Sequence, residues 1–493
     1  LSRHTVIVGA GIGGLAAAAQ RARAGDRVTV FEQAGHAGGK AASVRMGAYR
    51  FDAGPSLFTL PDVFQRFFAS LGLDMRDYIQ PRPLSPLCAY EFADGTRLQS
   101  HSDRVAFARE LESAGVATAT ELKAYLDRSA RMWSTAGELF LTRSLHEPAT
   151  YLSRNGLRAI LHAATLSPFS RMHDVHARAF ADPRAVQLFD RYATYNGSSP
   201  YLTPATMRII PHVEYAFGGY ALKGGIVSLP RGLELAARQL GVEFRMGTRV
   251  DRIVVENGRC RAVEADGDRV ECDRVISNAD VFSTYRHLLR EPQAREVQRY
   301  ERLEPSSSGL VFLWGVGRSF PQIQVHNIFF SGDYRDEFDA MFRRLQMPDN
   351  PTVYVNVTSK VTPEDAPVGG ENWFVLLNAP RDAGQDWSAI VARARESVIQ
   401  RVSRVLGCDI RPLIQAEKVI TPPDIERDTG STYGSLYGIA SHSPLSAFWR
   451  HPNRSRRIGG LYFAGGSAHP GGGMPLALLS GMLAAEMAGK DSP

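Results

Sequence analysis

Four glycines, Gly9, Gly11, Gly13 and Gly14, stand between the apolar run Thr5 to Val8 and an alanine-rich stretch, and the acidic residue Glu32 follows eighteen residues beyond Gly14. These residue types at this spacing suit phosphate and ribose recognition. Gly9 permits a tight turn, Gly11 lets the backbone approach a pyrophosphate, Gly14 lets a helix pack closely on a strand, and the Glu32 carboxylate accepts hydrogen bonds from an adenosine ribose. A second glycine-rich stretch near the other end of the chain runs from Leu461 to Pro475 and carries Gly465, Gly466 and Gly471 to Gly473 before a helix that opens at Met474. Pro475 suits a first helical turn, and the positive end of that helix faces whatever the loop surrounds. No Ser-His-Asp set, paired carboxylates or metal-ligand cluster can be picked out by spacing, so neither a catalytic residue nor a metal site is assigned. His469 is read as a structural loop histidine, and Asp52 as either a loop hydrogen-bonding group or a site residue.

The elements that must position these residues follow from the pattern. Thr5 to Val8 is predicted as a buried strand, Leu15 to Ala24 as a helix, and Arg27 to Phe31 as a second strand ending in Glu32. The free N–H groups at the start of that helix are available to phosphates. From Gly241 to Asp280 the chain reads as a meander of strands with Asn257-Gly258 and Asp266-Gly267 as turns, and Val250 is placed at the end of its first strand. Asn278 and Asp280 precede a helix and are candidate caps. Pro61 to Leu73 and Ala124 to Leu145 read as amphipathic helices carrying Phe64, Phe67, Phe68, Trp133, Leu139 and Phe140, faces that are either core or membrane contacts. The last segment, Met474 to Ala488, is predicted as a helix.

With 493 residues, the chain is long enough for two interleaved domains, one for a cofactor and one for a substrate. Its composition, 44% hydrophobic and 22% charged, is that of a folded protein without low-complexity segments. The net charge of +6 comes from scattered basic residues, which point to anionic lipid rather than nucleic acid as a partner. The cysteines Cys88, Cys260, Cys272 and Cys408 form no CxxC pair, so free thiols in a cytoplasmic protein are expected. No run of about 18 apolar residues suggests a spanning helix. The stretch from Thr5 to Ala19 is broken by glycines and is not read as a signal peptide, and Leu1 in place of Met suggests trimming.

Gly38-Gly39-Lys40 resembles the G-G-[RK] extension of glutathione-reductase-like and amine-oxidase-like flavoproteins, and this resemblance selects FAD as the dinucleotide. Asp52-Ala53-Gly54-Pro55-Ser56 resembles the D-A-G-P-[ST] segment of the bacterial-type carotenoid desaturases, and Leu461 to Pro475 with its His-Pro-Gly core resembles their L-Y-[FL]-V-G-[AG]-[ST]-x-H-P-G-x-G-[IVM]-P ending. The resemblance runs in order along essentially the whole chain. It implies an α/β fold, a Rossmann-like FAD-binding domain interleaved with an α+β substrate domain. Residues 1–85, 223–287 and 421–493 would form the first, and 86–222 with 288–420 the second. It also implies that Gly9, Gly11, Gly13, Gly14, Glu32, Gly39, Lys40, Pro55, Val250, Asn278, Gly465, Gly466 and Met474 contact the cofactor, with a core valine as the alternative for Val250. Gly224-Gly225 and the following Leu229 and Leu233 resemble the family's G-G-x-x-x-L-x-x-x-L segment, whose glycines are read as structural.

The resemblance further implies a desaturation in which the flavin accepts a hydride from an acyclic carotenoid, with oxygen or a membrane quinone as the final electron acceptor. A water-insoluble polyene must pass from bilayer to flavin through an apolar passage, so a peripheral membrane protein is expected. Gly54 to Thr59 and Gly473 to Leu476 look closer to the 1-hydroxycarotenoid 3,4-desaturases than to the phytoene or diapophytoene desaturases. A carotenoid isomerase or oxidase, an amine oxidase, and a lipid escort protein without flavin chemistry remain as alternatives, the last predicting eroded cofactor motifs.

Overall fold

The apolar segment before the glycine turn becomes the central strand of a parallel sheet. The computed structural model describes residues 2–491 apart from 138, 140–142, 163–165 and 292, and does not describe the side chains of 136, 155, 160 and 445. The sheet has the strand order Leu461–Phe463, Arg274–Ser277, His4–Val8, Arg27–Glu32, Glu243–Met246, and every neighbouring pair is parallel. Alternate residues serve opposite faces, as the two-residue period of a strand requires. Ile7, Val28 and Val30 pack with the helices Ile12–Arg23, Ser228–Gln239 and Met474–Lys490, whereas Val6, Val8 and Phe31 pack with Ile253, Val263, Val281, Phe282 and Tyr285 on the other side.

A second, seven-stranded sheet lies elsewhere in the chain. Its order is Ile414–Ile420, Ser308–Val316, Glu371–Ala379, Val353–Val357, His326–Phe329, Cys88–Glu91, Arg97–Ser100, antiparallel throughout except between His326–Phe329 and Cys88–Glu91. One face carries Trp314, Trp373, Val355 and Val375 and is covered by Ile390, Val398, Ile399 and Val402 of the helix Trp387–Leu406. The opposite face carries Val311, Leu313 and Phe374, which pack with Tyr49 and Phe51 of the hairpin Ser43–Met46, Tyr49–Asp52. The hairpin therefore lies against the sheet while its chain continues directly into Ala53 to Ser56.

Several local expectations hold with shifted ends. The first helix spans Ile12–Arg23 and the last Met474–Lys490. Asn257-Gly258 and Asp266-Gly267 form the tight turns, all four residues having positive φ. The meander itself is shorter than expected, comprising only Val250–Glu256, Arg259–Ala265 and Asp268–Glu271, because Glu243–Met246 and Arg274–Ser277 join the parallel sheet instead. Val250 accordingly opens the strand Val250–Glu256 rather than closing the one before it. Phe64, Phe67 and Phe68 are core residues of the helix Pro61–Ser70. The long helix expected over Ala124 to Leu145 is an α-helix at Ala119–Met132 followed by a π-helical turn at Trp133–Gly137, with Trp133 half-buried and Leu139 buried. Phe140 lies outside the described residues.

Candidate active site

The amino-terminal glycine turn, the strand end at Asn278 and the loop at Gly465 meet at one point. Gly9 has a φ of +95°, which only glycine adopts freely, and a Cβ on Gly14 would overlap the Gly9 carbonyl oxygen. On Gly13 a Cβ would stand 2.7 Å from Asn278 Oδ1, 2.8 Å from the Gly465 nitrogen and 2.9 Å from the Ala477 carbonyl oxygen. On Gly11 and on Gly465 it would stand 2.7 and 2.8 Å from the Asn278 amide. Gly11 forms a bridge with Gly38, and a Cβ on Gly39 would stand 3.7 Å from the Gly11 Cα. The helices Ile12–Arg23 and Met474–Lys490 both start beside this cluster with glycine caps, Gly11 and Gly473, and neither cap provides a side-chain acceptor. Their first N–H groups are thus available to an anion. A Cβ on Gly466 would stand 3.4 Å from the Gly472 Cα, and Met474 is buried in the first turn of the last helix. Asn278, read as a candidate cap, places its amide among these glycines; its Oδ1 is buried and has no hydrogen-bond partner among the described residues. Asp280 is the residue that caps, accepting from the N–H groups of Phe282 and Ser283.

Around this cluster stand three charged groups. The Glu32 carboxylate accepts from the backbone N–H of Ala10 at 2.7 Å and of Ala34 at 2.9 Å, which ties the second strand to the glycine turn. Val250 is carried close by, since the N–H of Thr248 donates to the Glu32 carbonyl. Lys40 donates through Nζ to the carbonyls of Leu436 at 2.8 Å and Ser435 at 3.2 Å. Burial pushes its ammonium down to about 8, partly opposed by the Asp280 charge. A Cβ on Gly54 would overlap the Lys40 carbonyl oxygen, so the segment Asp52 to Ser56, with half-buried Pro55, is pressed against the Gly39-Lys40 turn.

Asp52 opens a polar layer between the hairpin and the seven-stranded sheet. Its Oδ1 accepts from Arg50 at 2.8 Å and its Oδ2 from the Ile226 N–H at 2.8 Å, while Arg50 also binds Asp365 through two nitrogens at 2.5 Å. Burial raises the Asp52 carboxyl despite the guanidinium beside it. Gly225, with a φ of +82°, leaves the space that the Arg50 guanidinium occupies. Next to Asp52, a recess with a free volume of about 10 Å³ is lined by Ser56, Leu222, Ile226, Val325, Asn356 and Thr358. Ser56 Oγ contacts the Tyr354 hydroxyl at 2.5 Å, and that hydroxyl contacts His326 Nδ1 at 2.6 Å. Burial pushes the His326 imidazolium down to about 3, so the ring is neutral. His469 is fully buried, with Nε2 2.9 Å from the Arg143 carbonyl oxygen and its imidazolium pushed down to about 4 by burial, in keeping with a structural role. A larger depression of about 500 Å³ adjoins Val250 and is lined by Arg249, Asp251, Glu264, Gly267, His287, Leu288 and Arg290, with none of the glycines 9 to 14 on its wall.

Residues 12–488 match the family described as flavin containing amine oxidoreductase. This chain belongs to that family. It is 42% identical over 488 residues, 98% of this chain and 99% of the other, to 1-hydroxycarotenoid 3,4-desaturase from Flavobacterium sp. (strain P99-3). It is 35% identical to 4,4'-diapolycopene oxygenase from Methylomonas sp, covering 98% of this chain and 97% of that one, and 30% identical to 4,4'-diaponeurosporene oxygenase from Staphylococcus aureus (strain USA300), covering 99% and 98%. Among solved structures, an oxidoreductase from Methanosarcina mazei superimposes with a TM-score of 0.65 at 16% identity, covering 98% of this chain and 100% of that one. Putrescine oxidase bound to putrescine superimposes with 0.63 at 18%, covering 99% and 100%. These two likenesses show the fold.

The flavoenzyme's cofactor is FAD, and the glycine cluster fits it. The cluster is a cradle that any Cβ would fill, it holds a buried amide oxygen without a partner, and it lies at two uncapped helix amino termini. Bound there, FAD supplies a two-electron acceptor that takes up a hydride. Sequence reasoning missed four features of this flavoenzyme's site. Gly481 lies where the first and last helices cross, and a Cβ on it would overlap the Gly13 carbonyl oxygen. Asp365 pairs with Arg50 and Tyr354 with Ser56 across 315 and 298 residues of chain, and His326 joins Tyr354. Gly481 carries a weak signal as a glycine inside a helical pattern, whereas nothing local marks the other three.

Proposed function

We propose that this flavoenzyme is a carotenoid desaturase, specifically one that introduces the 3,4 double bond of an acyclic 1-hydroxycarotenoid. The observation that carries the proposal is the 42% identity to the Flavobacterium desaturase along 98% of the chain. The intact glycine cluster argues against an escort protein without flavin chemistry. FAD is held by Gly9, Gly11, Gly13, Gly14, Glu32, Gly39, Lys40, Pro55, Val250, Asn278, Gly465, Gly466 and Met474. Residues 1–85, 223–287 and 421–493 serve the cofactor, and 86–222 with 288–420 serve the substrate.

In the proposed reaction the protein's own work is to bind, orient and exclude water. The neutral His326 and hydrogen-bonded Asp52 keep unpaired charge away from a developing allylic cation. Delocalisation over the polyene acidifies the neighbouring C–H, so a weak base suffices for the proton. The electrons leave to oxygen or a membrane quinone.

The flavoenzyme works at a membrane surface. Among the described residues no helix is long and apolar enough to cross a bilayer. Support for surface attachment comes from Leu152, Leu161 and Phe169, 78%, 80% and 94% exposed, together with Leu157 and the exposed Arg154, Arg158 and Arg171 in the same stretch. Apolar side chains interleaved with arginines suit an anionic lipid interface. The test is incubation with FAD, liposomes and, separately, phytoene, neurosporene and 1-hydroxyneurosporene, with products resolved by chromatography. Conversion of the hydroxylated polyene alone to a longer chromophore is the expected result. Conversion of phytoene would move the assignment to phytoene desaturation, and an oxygenated product would move it to the chemistry named for the Methylomonas and Staphylococcus relatives.

A further inference from the structure

The recess beside Asp52 is built with one hydrogen-bonding position left over. Asn356 is 2% exposed and lines the recess. Its Nδ2 donates to the Val325 carbonyl at 2.9 Å and contacts His326 Nδ1 at 3.2 Å, which fixes the amide orientation. Its Oδ1 is then buried without a donor among the described residues. The neighbouring groups cannot supply one. The Asn356 amide nitrogen faces His326 Nδ1, so that nitrogen is the unprotonated one; its single lone pair takes the Tyr354 hydroxyl at 2.6 Å, and the Ser56 hydroxyl in turn donates to Tyr354. Thr358 Oγ1 is committed as well, donating to Asp365 and accepting from Asn372. The hydrogen-bond directions therefore all run away from Asn356 Oδ1. A guest that satisfies it must bring an O–H or N–H; the lining combines the apolar Ala221, Leu222, Ile226, Val325 and Val361 with the polar Asp52, Ser56, Thr358 and Thr362. The free volume of about 10 Å³ is close to that of one water-sized group.

We propose that this recess receives the hydroxyl group of the polyene substrate, which donates to Asn356 Oδ1 beside Ser56, making Asn356 the determinant of hydroxyl selectivity and Ser56 a residue that shapes the recess around it. The inference rests on the desaturase reading and deepens it. The recess is placed suitably for that reaction. Ser56 lies two residues after Gly54, which abuts Lys40 beside the glycine cluster, so a substrate anchored by its hydroxyl presents its nearest carbon–carbon bonds toward the cofactor side. A methoxy group or a plain hydrocarbon end has no donor for Asn356 and would leave the amide oxygen buried and unpaired, a loss that makes hydrogen-bonding sites strongly selective.

The experiment compares wild type, Asn356→Ala and Ser56→Ala, each checked for FAD content and melting temperature, on 1-hydroxyneurosporene and neurosporene. Both kcat/KM and binding by quenching of tryptophan fluorescence are measured. The wild type is expected to favour the hydroxylated polyene at least about tenfold in both readouts, the effect of one unpaired buried group. Asn356→Ala is expected to erase most of that preference by weakening the hydroxylated polyene alone, and Ser56→Ala part of it. Parallel losses on both polyenes, or an unchanged preference in Asn356→Ala, would overturn the proposal and leave the recess as a water site. Equal conversion of the two polyenes by the wild type would overturn it while the desaturase reading stands. If neither polyene is converted, the desaturase reading fails, and the recess proposal is then decided by the binding preference alone, equal affinities overturning it.

Discussion

Replacing Gly481 by alanine tests the link between helix packing and cofactor binding. A Cβ at this position would stand 2.9 Å from the Gly13 carbonyl carbon, 3.0 Å from the Ala16 Cβ and in overlap with the Gly13 oxygen. The atoms met are backbone, so the two helices must part by about 1 Å to restore ordinary contact. Overpacking of this kind costs about 1–3 kcal/mol, against which alanine returns about 1 kcal/mol of helix propensity. Gly489, in the same helix, provides the control. Its Cβ would meet the Arg21 guanidinium, at 2.7 Å from Nη1, a side-chain end whose Nη1 makes only a 3.4 Å contact with the Ala485 carbonyl, so Gly489→Ala keeps the propensity gain without the backbone overlap. The difference in unfolding free energy between the two variants is therefore expected at about 1–3 kcal/mol, with Gly481→Ala the weaker. Because both helices begin at the glycine cluster, Gly481→Ala should also lose FAD affinity by about tenfold, a misplacement effect that Gly489→Ala lacks. Denaturant titration and FAD titration by absorbance measure the two quantities. Equal stability and equal FAD affinity in the two variants would refute the argument.

Removing Asp365 by Asp365→Ala leaves Arg50 buried with half its partners and is expected to destabilise the fold by about 3 kcal/mol, read by denaturant unfolding; a change within about 0.5 kcal/mol would show the cluster to be dispensable. Lys40 has its proton held less tightly folded, at about 8, than unfolded, at 10.5, so the unfolded chain binds more protons between these values and this group's contribution makes stability rise with pH across that window. In FAD-free protein, Lys40→Met is expected to remove that rise relative to wild type, and parallel stability curves from pH 8 to 10.5 would contradict the shift. Leu161→Asp with Phe169→Asp should abolish flotation with anionic vesicles, since each buried large apolar side chain contributes about 1.5–3 kcal/mol, while leaving the melting temperature unchanged. Unaltered flotation would place the lipid contact elsewhere.

The glycine turn of the candidate site was legible because its requirements are local. A strand, a turn and a helix packed within a single van der Waals layer demand Gly9 and Gly14 at fixed positions, and Glu32 falls at the end of the next strand. Lys40 and Asn278 could be named from motif resemblance, yet their roles emerge only in three dimensions. Asn278 looked like a cap because it precedes a helix, but Asp280 is better placed to cap and leaves the Asn278 amide free to enter the glycine cluster. The strands Glu243–Met246 and Arg274–Ser277 read as part of a meander because apolar alternation does not reveal whether a strand's partner is its neighbour in sequence. The polar layer was invisible for the same reason. Arg50 and Asp365 are 315 residues apart, and Ser56 and Tyr354 are 298 apart. Single polar residues in apolar strands carry no mark of which distant group will pair with them.

Anaerobic single-turnover reduction of the bound FAD tests the central claim most directly. The stoichiometric FAD-loaded protein is mixed with 1-hydroxyneurosporene in liposomes, and the flavin and polyene absorbances are followed together. The account predicts that flavin bleaching and the red shift of the polyene proceed with the same rate constant and one-to-one amplitude, while putrescine, the ligand of the structurally similar oxidase, leaves the flavin oxidised. Bleaching by the amine without any change in the polyene would contradict it.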